Sequence, residues 1–357
     1  GPDPHGRGAV GRSYPPSPRG FRARIGLPVV GGRTGCPPIG SPPRNGGLPG
    51  PEPAPSPGVR EARTHRRNLP GTWDSGPRAP ELHTLTPMGH TLVMGIINVT
   101  PDSFSDGGTW LGTSAAVGHG LDLIAQGAKI LDVGGESTRP GAERISEDEE
   151  MTRVVPVIEG LRIPAAATGV ALSVDTMRSS VARAAVRAGA SIVNDVSGGL
   201  ADTRMLAAVA ELGVDYVCQH WRGFGSEMDK AAEYDDVVAE VRSELEARCR
   251  AAVDAGIAPE RVIADPGLGF AKNAEHDWRI LAHLDAFTGL GHRVLIGASR
   301  KRFLGSLLNG RPTAERDAAT AAVSAWCCVR GIWAVRTHEV RSQVDTITVI
   351  EHLCGAS

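Results

Sequence analysis

The sequence predicts a (β/α)8 barrel. From residue 91, eight short apolar runs rich in Val and Ile alternate with stretches that can form helices. This pattern fills about 265 residues, close to the usual length of such a barrel. Polar residues also follow nearly every apolar run. A doubly wound open sheet, the structural alternative, would concentrate its ligand contacts at one glycine-rich switch point. Exits spread over all eight runs instead suit a barrel, whose loops at the C-terminal ends of the strands build one site.

The first run, "TLVMGIINV" (91–99), ends at Asn98 and enters a polar loop with Asp102–Gly108. The second, "KILDVGG" (129–135), exits through "GGESTRPGA" (134–142), and "EDEEMTRVVPVIEGL" (147–161) follows as a helix. The third, "ALSVDT" (171–176), ends at Asp175, and the fourth, "SIVNDVS" (191–197), holds Asn194 and Asp195. The fifth, "VDYVCQH" (214–220), leads into "QHWRG" (219–223). Residues 233–256 after it carry apolar positions at a 3.6-residue period. The sixth, "RVIADPG" (261–267), opens "DPGLGFAKN" (265–273), and the seventh, "RVLIGAS" (293–299), opens "SRK" (299–301). A helix over 314–331 precedes the eighth, "IWAVRTH" (332–338), which carries Arg336 and His338.

Ahead of this body the composition changes. Nineteen of the 26 prolines precede residue 91, and the first 80 residues hold 12 Arg, no Lys and four acids. The net charge near zero therefore hides a basic segment joined to an acidic body. Residues 1–87 show neither helical nor strand period and contain too little apolar surface to offset the entropy of ordering. They are expected to be a disordered Pro/Gly/Arg-rich extension rather than an RNA- or partner-binding arm. They could also be upstream sequence read before a start at Met88 or Met94. They lack the apolar core of a signal peptide, and their prolines disfavour an amphipathic transit helix. Residues 88–357 form the expected barrel domain. The six cysteines make no CxxC pair and read as reduced thiols. No apolar run approaches the roughly 20 residues a membrane span needs. A cytoplasmic protein with no nucleic-acid or membrane partner is expected.

The exits sort by chemistry. Asp175, Asn194 and Asp265 offer acceptors and an amide to a flat heterocycle rich in N–H groups. Arg139, Arg336 and His338, with Asn98, suit a phosphorylated group, for which the loops after strands seven and eight of a barrel are a frequent site. The chain has only four lysines against 34 arginines, yet Lys272 and Lys301 both lie in exit motifs. An ammonium is not interchangeable with a guanidinium where one acceptor must be approached. Lys301 is the stronger site candidate, while Lys272 reads equally as a solvated charge at a helix start. Plainer readings stand beside these. Asp175 suits a helix N-cap, Asn194 a turn and Asp265 a turn start. Asp195 should face away from Asn194 on an alternating strand. His220 fits a satisfied core histidine as well as a site residue.

The body resembles the dihydropteroate synthases, folate-pathway enzymes with a pterin-binding barrel. The resemblance covers residues 91–354 and rests on "INVTPDSFSDGG", "DVGGESTRPGA", "SVDT", "NDVSGG", "DPGLGFAKN", "GASRKRFLG" and "VRTHEV". It implies coupling of 6-hydroxymethyl-7,8-dihydropterin diphosphate to p-aminobenzoate, with release of diphosphate. It places pterin contacts on Asp175, Asn194, Asp265 and Lys301. Diphosphate and Mg2+ contacts fall on Asn98, Arg139, Arg336 and His338, with Asn98 as the metal ligand. The aminobenzoate pocket, also the sulfonamide site, falls on Thr138, Pro140, Phe270 and Ser299, with Arg300 and Lys301 nearby. Phe104 and Asp106 belong to a first loop that closes over the pocket. A homodimer is implied; Trp326, Val329, Val344, Ile347, Val349 and Ile350 read either as ordinary barrel packing or as its surface.

Two positions depart from the family pattern. Gln219 stands where Met is usual, and a buried amide there needs partners. Glu339 replaces the usual Asp. A barrel passing a methyl group to a corrinoid protein would share the ring-binding residues but has no use for "STRPG", "SRK" and the Arg–His pair. A non-catalytic paralogue would show damage in these motifs, and they are intact.

Overall fold

The computed structural model describes residues 90–100, 108–136, 144–224 and 231–355. The 1–87 segment and the site candidates Phe104, Asp106, Thr138, Arg139 and Pro140 lie outside the described residues. Eight parallel strands close a barrel in chain order: β1 (Leu92–Asn98), β2 (Ile130–Gly134), β3 (Ala171–Asp175), β4 (Ile192–Asp195), β5 (Asp215–Gln219), β6 (Val262–Asp265), β7 (Arg293–Ile296) and β8 (Ala334–Thr337). Closure is direct, because β8 pairs with β1 in the register Leu92 to Ala334 through Gly95 to Thr337.

Ten helices lie among the described residues: α1 (Gly108–Ala125), α2 (Glu147–Thr168), α3 (Ser179–Ala188), α4 (Met205–Leu212), α5 (Val237–Asp254), α6 (Ala274–Ala282), α7 (Asp285–Thr288), α8 (Arg302–Leu307), α9 (Asp317–Val329) and α10 (Arg341–Gly355). Their ends follow local chemistry. The Ser146 side chain accepts the Glu149 amide, and four acids in the first turn of α2 complement the helix dipole. The helix ends at Gly169, whose left-handed φ of 68° costs a glycine little. Asp236 caps α5 by accepting from the amides of Val238 and Ala239.

Strand alternation positions the site. A layer of Met94, Ile130, Ile192, Val217, Ile263, Leu295 and Ala334 fills the barrel interior. Two residues further along, the same inward face carries Asp132 on β2, Asn194 on β4, Gln219 on β5, Asp265 on β6 and Arg336 on β8. Asp175 follows Ala171 and Ser173 on the inward face of β3. Polar groups thus stack on an apolar floor toward the C-terminal ends of the strands. Outward residues such as Ile97, Val133, Val174, Val193 and Tyr216 pack under the helices.

Asp195 faces outward, as alternation requires. Its carboxylate accepts from the Ser197 amide at 2.8 Å and hydroxyl at 2.6 Å, the Gly199 amide at 2.8 Å and the Tyr216 hydroxyl at 2.9 Å. It therefore organises the "NDVSGG" turn and anchors a fully buried tyrosine. Asp195→Ala would leave these donors unpaired and should lower stability by about 3 kcal/mol or more. The urea midpoint of the variant checks this.

Candidate active site

At the centre of the polar layer is Asp132, which has no solvent exposure. Its Oδ2 accepts from Arg336 Nε at 2.6 Å and Asn194 Nδ2 at 2.9 Å, and its Oδ1 accepts from the Ser173 hydroxyl at 2.6 Å. Arg336 extends its second arm to Asp175 Oδ2 at 2.8 Å. Asp175 is consequently not a helix N-cap; Arg178 occupies that position on α3 and makes no side-chain cap. Asn194 does not close a turn. With its amide nitrogen held by Asp132, Oδ1 is buried and has no partner among the described residues. A buried acceptor without a donor is uncommon.

Asp265 starts a turn, as its plainer reading has it. Its Oδ1 accepts from the Gly267 amide at 2.7 Å, starting the turn, while it remains buried beside the Lys301 ammonium. Gly267 is required here. Its φ is 67°, and a Cβ would meet the His220 carbonyl oxygen at 2.5 Å. Lys301 Nζ donates to the Leu268 carbonyl and lies 5.0 Å from the centre of the Phe270 ring. Burial draws the Lys301 ammonium down to about 8, against the opposing pull of Asp265 and Asp277. Ser299 joins the exits of β7 and β8: its hydroxyl pairs with His338 Nδ1 at 3.0 Å and accepts from the His338 amide at 3.1 Å. Arg300, with φ 58°, is taken up by Asp317 through contacts of 2.7 and 2.8 Å. Asn98 ends β1, half-buried. The Gln219 amide is buried and donates to the Val196 carbonyl at 3.4 Å, the kind of partner its burial demands.

The structure thus brings Asp175, Asn194, Asp265, Lys301 and Arg336 to one end of the barrel. Sequence reasoning overlooked Asp132 and Ser173. Their signal was available, since each lies two residues from an inward-facing position and is polar within an apolar run. Lys272 is not a solvated charge: it is 4% exposed. Among the described residues no group of three His, Cys, Asp or Glu side chains could hold a metal ion, and no helix is long and apolar enough to cross a membrane.

Comparison with known proteins points to one family. The family model described as pterin binding enzyme matches residues 94–338. The dihydropteroate synthase of Mycobacterium leprae is 51% identical over 264 residues, covering 72% of this chain and 92% of the relative. The dihydropteroate synthase of Bacillus subtilis is 45% identical over 251 residues, covering 70% and 84%. A structure of the Xanthomonas albilineans dihydropteroate synthase with 7,8-dihydropteroate superposes with a TM-score of 0.66. It has 44% identity, covering 74% of this chain and 94% of that one.

Asp175 gives a pH signature. Burial pushes its carboxyl up to about 7 despite the Arg336 guanidinium, and the Asp132 charge adds to the rise. A carboxyl raised in the folded state supports folding fully at low pH, and that support is lost as pH climbs through about 7. Asp175→Asn lacks this loss. Relative to the parent, the variant should therefore gain stability between pH 5 and pH 8, a trend that urea midpoints at the two values will reveal.

Proposed function

The chain belongs to the pterin-binding enzyme family, and we propose from that premise how its residues carry out the dihydropteroate synthase reaction. The protein joins 6-hydroxymethyl-7,8-dihydropterin diphosphate to p-aminobenzoate, giving 7,8-dihydropteroate and diphosphate. The observation that carries the site assignment is the buried, partnerless Asn194 Oδ1, on a strand position paired with Asp175 and in the same inward-facing layer as Asp265. This set offers acceptors to the N–H edge of a pterin, and Lys301 supplies an opposing donor. Asp175 takes up ring N–H groups as a carboxylate, so ligand binding favours its ionised form.

Arg336 and His338 would hold the diphosphate, with Arg139 from the "STRPG" motif as a third group for it. Asn98 would be the protein ligand for Mg2+. A single amide oxygen fits that ion, because Mg2+ commonly keeps several waters and is held by one or two side chains plus substrate phosphates. When bound, Mg2+ neutralises charge developing on the departing diphosphate. The protein's own groups orient that leaving group and exclude water from the carbon it leaves. Asp106, on the loop after β1, stabilises the resulting positive charge, and Phe104 helps cover the pocket. The arylamine attacks from a subsite formed by Thr138, Pro140, Phe270 and Ser299.

Residues 1–87 are dispensable for this chemistry, and the barrel acts in the cytoplasm as a homodimer. The dimer assignment is supported by α10, which exposes Val349 and Leu353, although Ile347 of the same helix is buried.

Lys301→Ala and Arg336→Ala should each reduce kcat/KM at least 100-fold, roughly the loss expected for a charge-stabilising donor, without changing the circular dichroism spectrum. Near-normal turnover by either variant would sink the residue assignment. Deleting residues 1–87 should leave kcat and both KM values unchanged, and lost activity or insolubility would refute the view of that segment as an extension.

A further inference from the structure

The loop after β6 carries Asp265 and Phe270, yet much of its support comes from side chains the reaction does not use. Gly267 and Gly269 have φ of 67° and 74°, and Ala271 has φ 48°, a conformation non-glycine residues rarely adopt. Three carbonyls of this stretch are held by donors. Lys301 takes Leu268, Lys272 Nζ takes Phe270 at 2.9 Å, and the Tyr234 hydroxyl takes Ala271 at 2.9 Å. A second bond from Lys272 reaches His220 Nδ1 at 2.9 Å, and His220 Nε2 meets Glu244 Oε2 at 3.0 Å.

The direction of this chain follows from its ends. Glu244 accepts and Lys272 donates, so His220 is the tautomer with hydrogen on Nε2 and an acceptor at Nδ1. Burial, reinforced by the neighbouring Lys272, holds the imidazole down to about 4, which keeps Nδ1 available at neutral pH. Burial also brings Lys272 down to about 7. Either form of the amine carries enough N–H bonds for both acceptors, so the brace does not depend on its ionisation.

We propose that Lys272, oriented by His220, is a positioning residue for the arylamine subsite, fixing the Phe270 carbonyl and with it the ring against which the arylamine packs. The assignment rests on the synthase reading and on the place of Phe270 in it. Burying an ammonium is costly, and an apolar side chain would fill the same space more cheaply. This chain nevertheless commits one of its four lysines to the position. A planar guanidinium could not present the same compact pair of donors to Phe270 and His220.

Steady-state kinetics with both substrates varied test the idea. Lys272→Met should raise KM for p-aminobenzoate roughly tenfold or more, the loss expected for a hydrogen bond from a charged donor. KM for the pterin diphosphate should stay within about twofold of the parent, because Asp265 keeps its own turn contact. His220→Leu should move the same constant in the same direction. His220→Asn restores an acceptor near Nδ1 and should recover part of the loss. Combining Lys272→Met with His220→Leu should add little to the larger single effect, since the two act through one contact. If Lys272→Met does not fold, the two His220 variants make the same comparison. An unchanged arylamine KM in folded variants, or equal rises for both substrates, would overturn the assignment. A wild-type protein without arylamine-dependent diphosphate release would overturn the synthase reading itself, which separates the two failures.

Discussion

A carboxylate sealed from solvent on β2 ties four strands of the barrel together. Through Asp132, β2 is joined to Ser173 on β3, Asn194 on β4 and Arg336 on β8. An isolated buried charge would cost several kcal/mol. Here three donors, one of them a guanidinium, compensate it, and removing any of them would expose the remainder of that cost. Reactive geometry follows from this bond set. The Asp132 contact fixes which end of the Asn194 amide would face the ligand in the proposed reading, and it aims the second arm of Arg336 at Asp175. A weaker centre would leave the ring-binding groups free to rotate, and a site of several convergent side chains tolerates little such freedom.

Charge is balanced across the pocket rather than at each residue. Asp132, Asp175 and Asp265 lie at the same end of the barrel as Arg336, Lys301 and Lys272. Burial raises Asp175 and Asp265 and lowers both lysines, so each group sits closer to neutrality than in water. A substrate with N–H donors at one end and a diphosphate at the other matches both signs. In the proposed reading, such a substrate would be favoured over a neutral molecule of similar shape.

The alternation of apolar and polar residues made most of the barrel legible in sequence. Each of the eight runs became a strand, shortened by one to three residues at its ends where hydrogen bonding gives way to loop. The same alternation correctly turned Asp195 away from Asn194. It should also have exposed Asp132 as inward-facing, but "KILDVGG" reads as a buried strand whose one charge is easily passed over. Lys272 was ambiguous for a different reason. Its buried ammonium meets His220, which lies 52 positions earlier, and no local pattern encodes that meeting. Gln219 illustrates the same limit: a sequence shows that a buried amide needs a partner, but only the fold supplies the Val196 carbonyl.

The most direct measurement is calorimetric binding of the pterin diphosphate, with Mg2+, to the parent and to Asp132→Asn. Asp132 touches no substrate in this account, so its effect must pass through Asn194 and Arg336. The account predicts a folded variant whose affinity falls about tenfold or more, the loss expected when a charged hydrogen-bond centre is neutralised. Parental affinity in a folded Asp132→Asn protein would contradict it, and would mean that the ring-binding residues keep their geometry without the buried carboxylate.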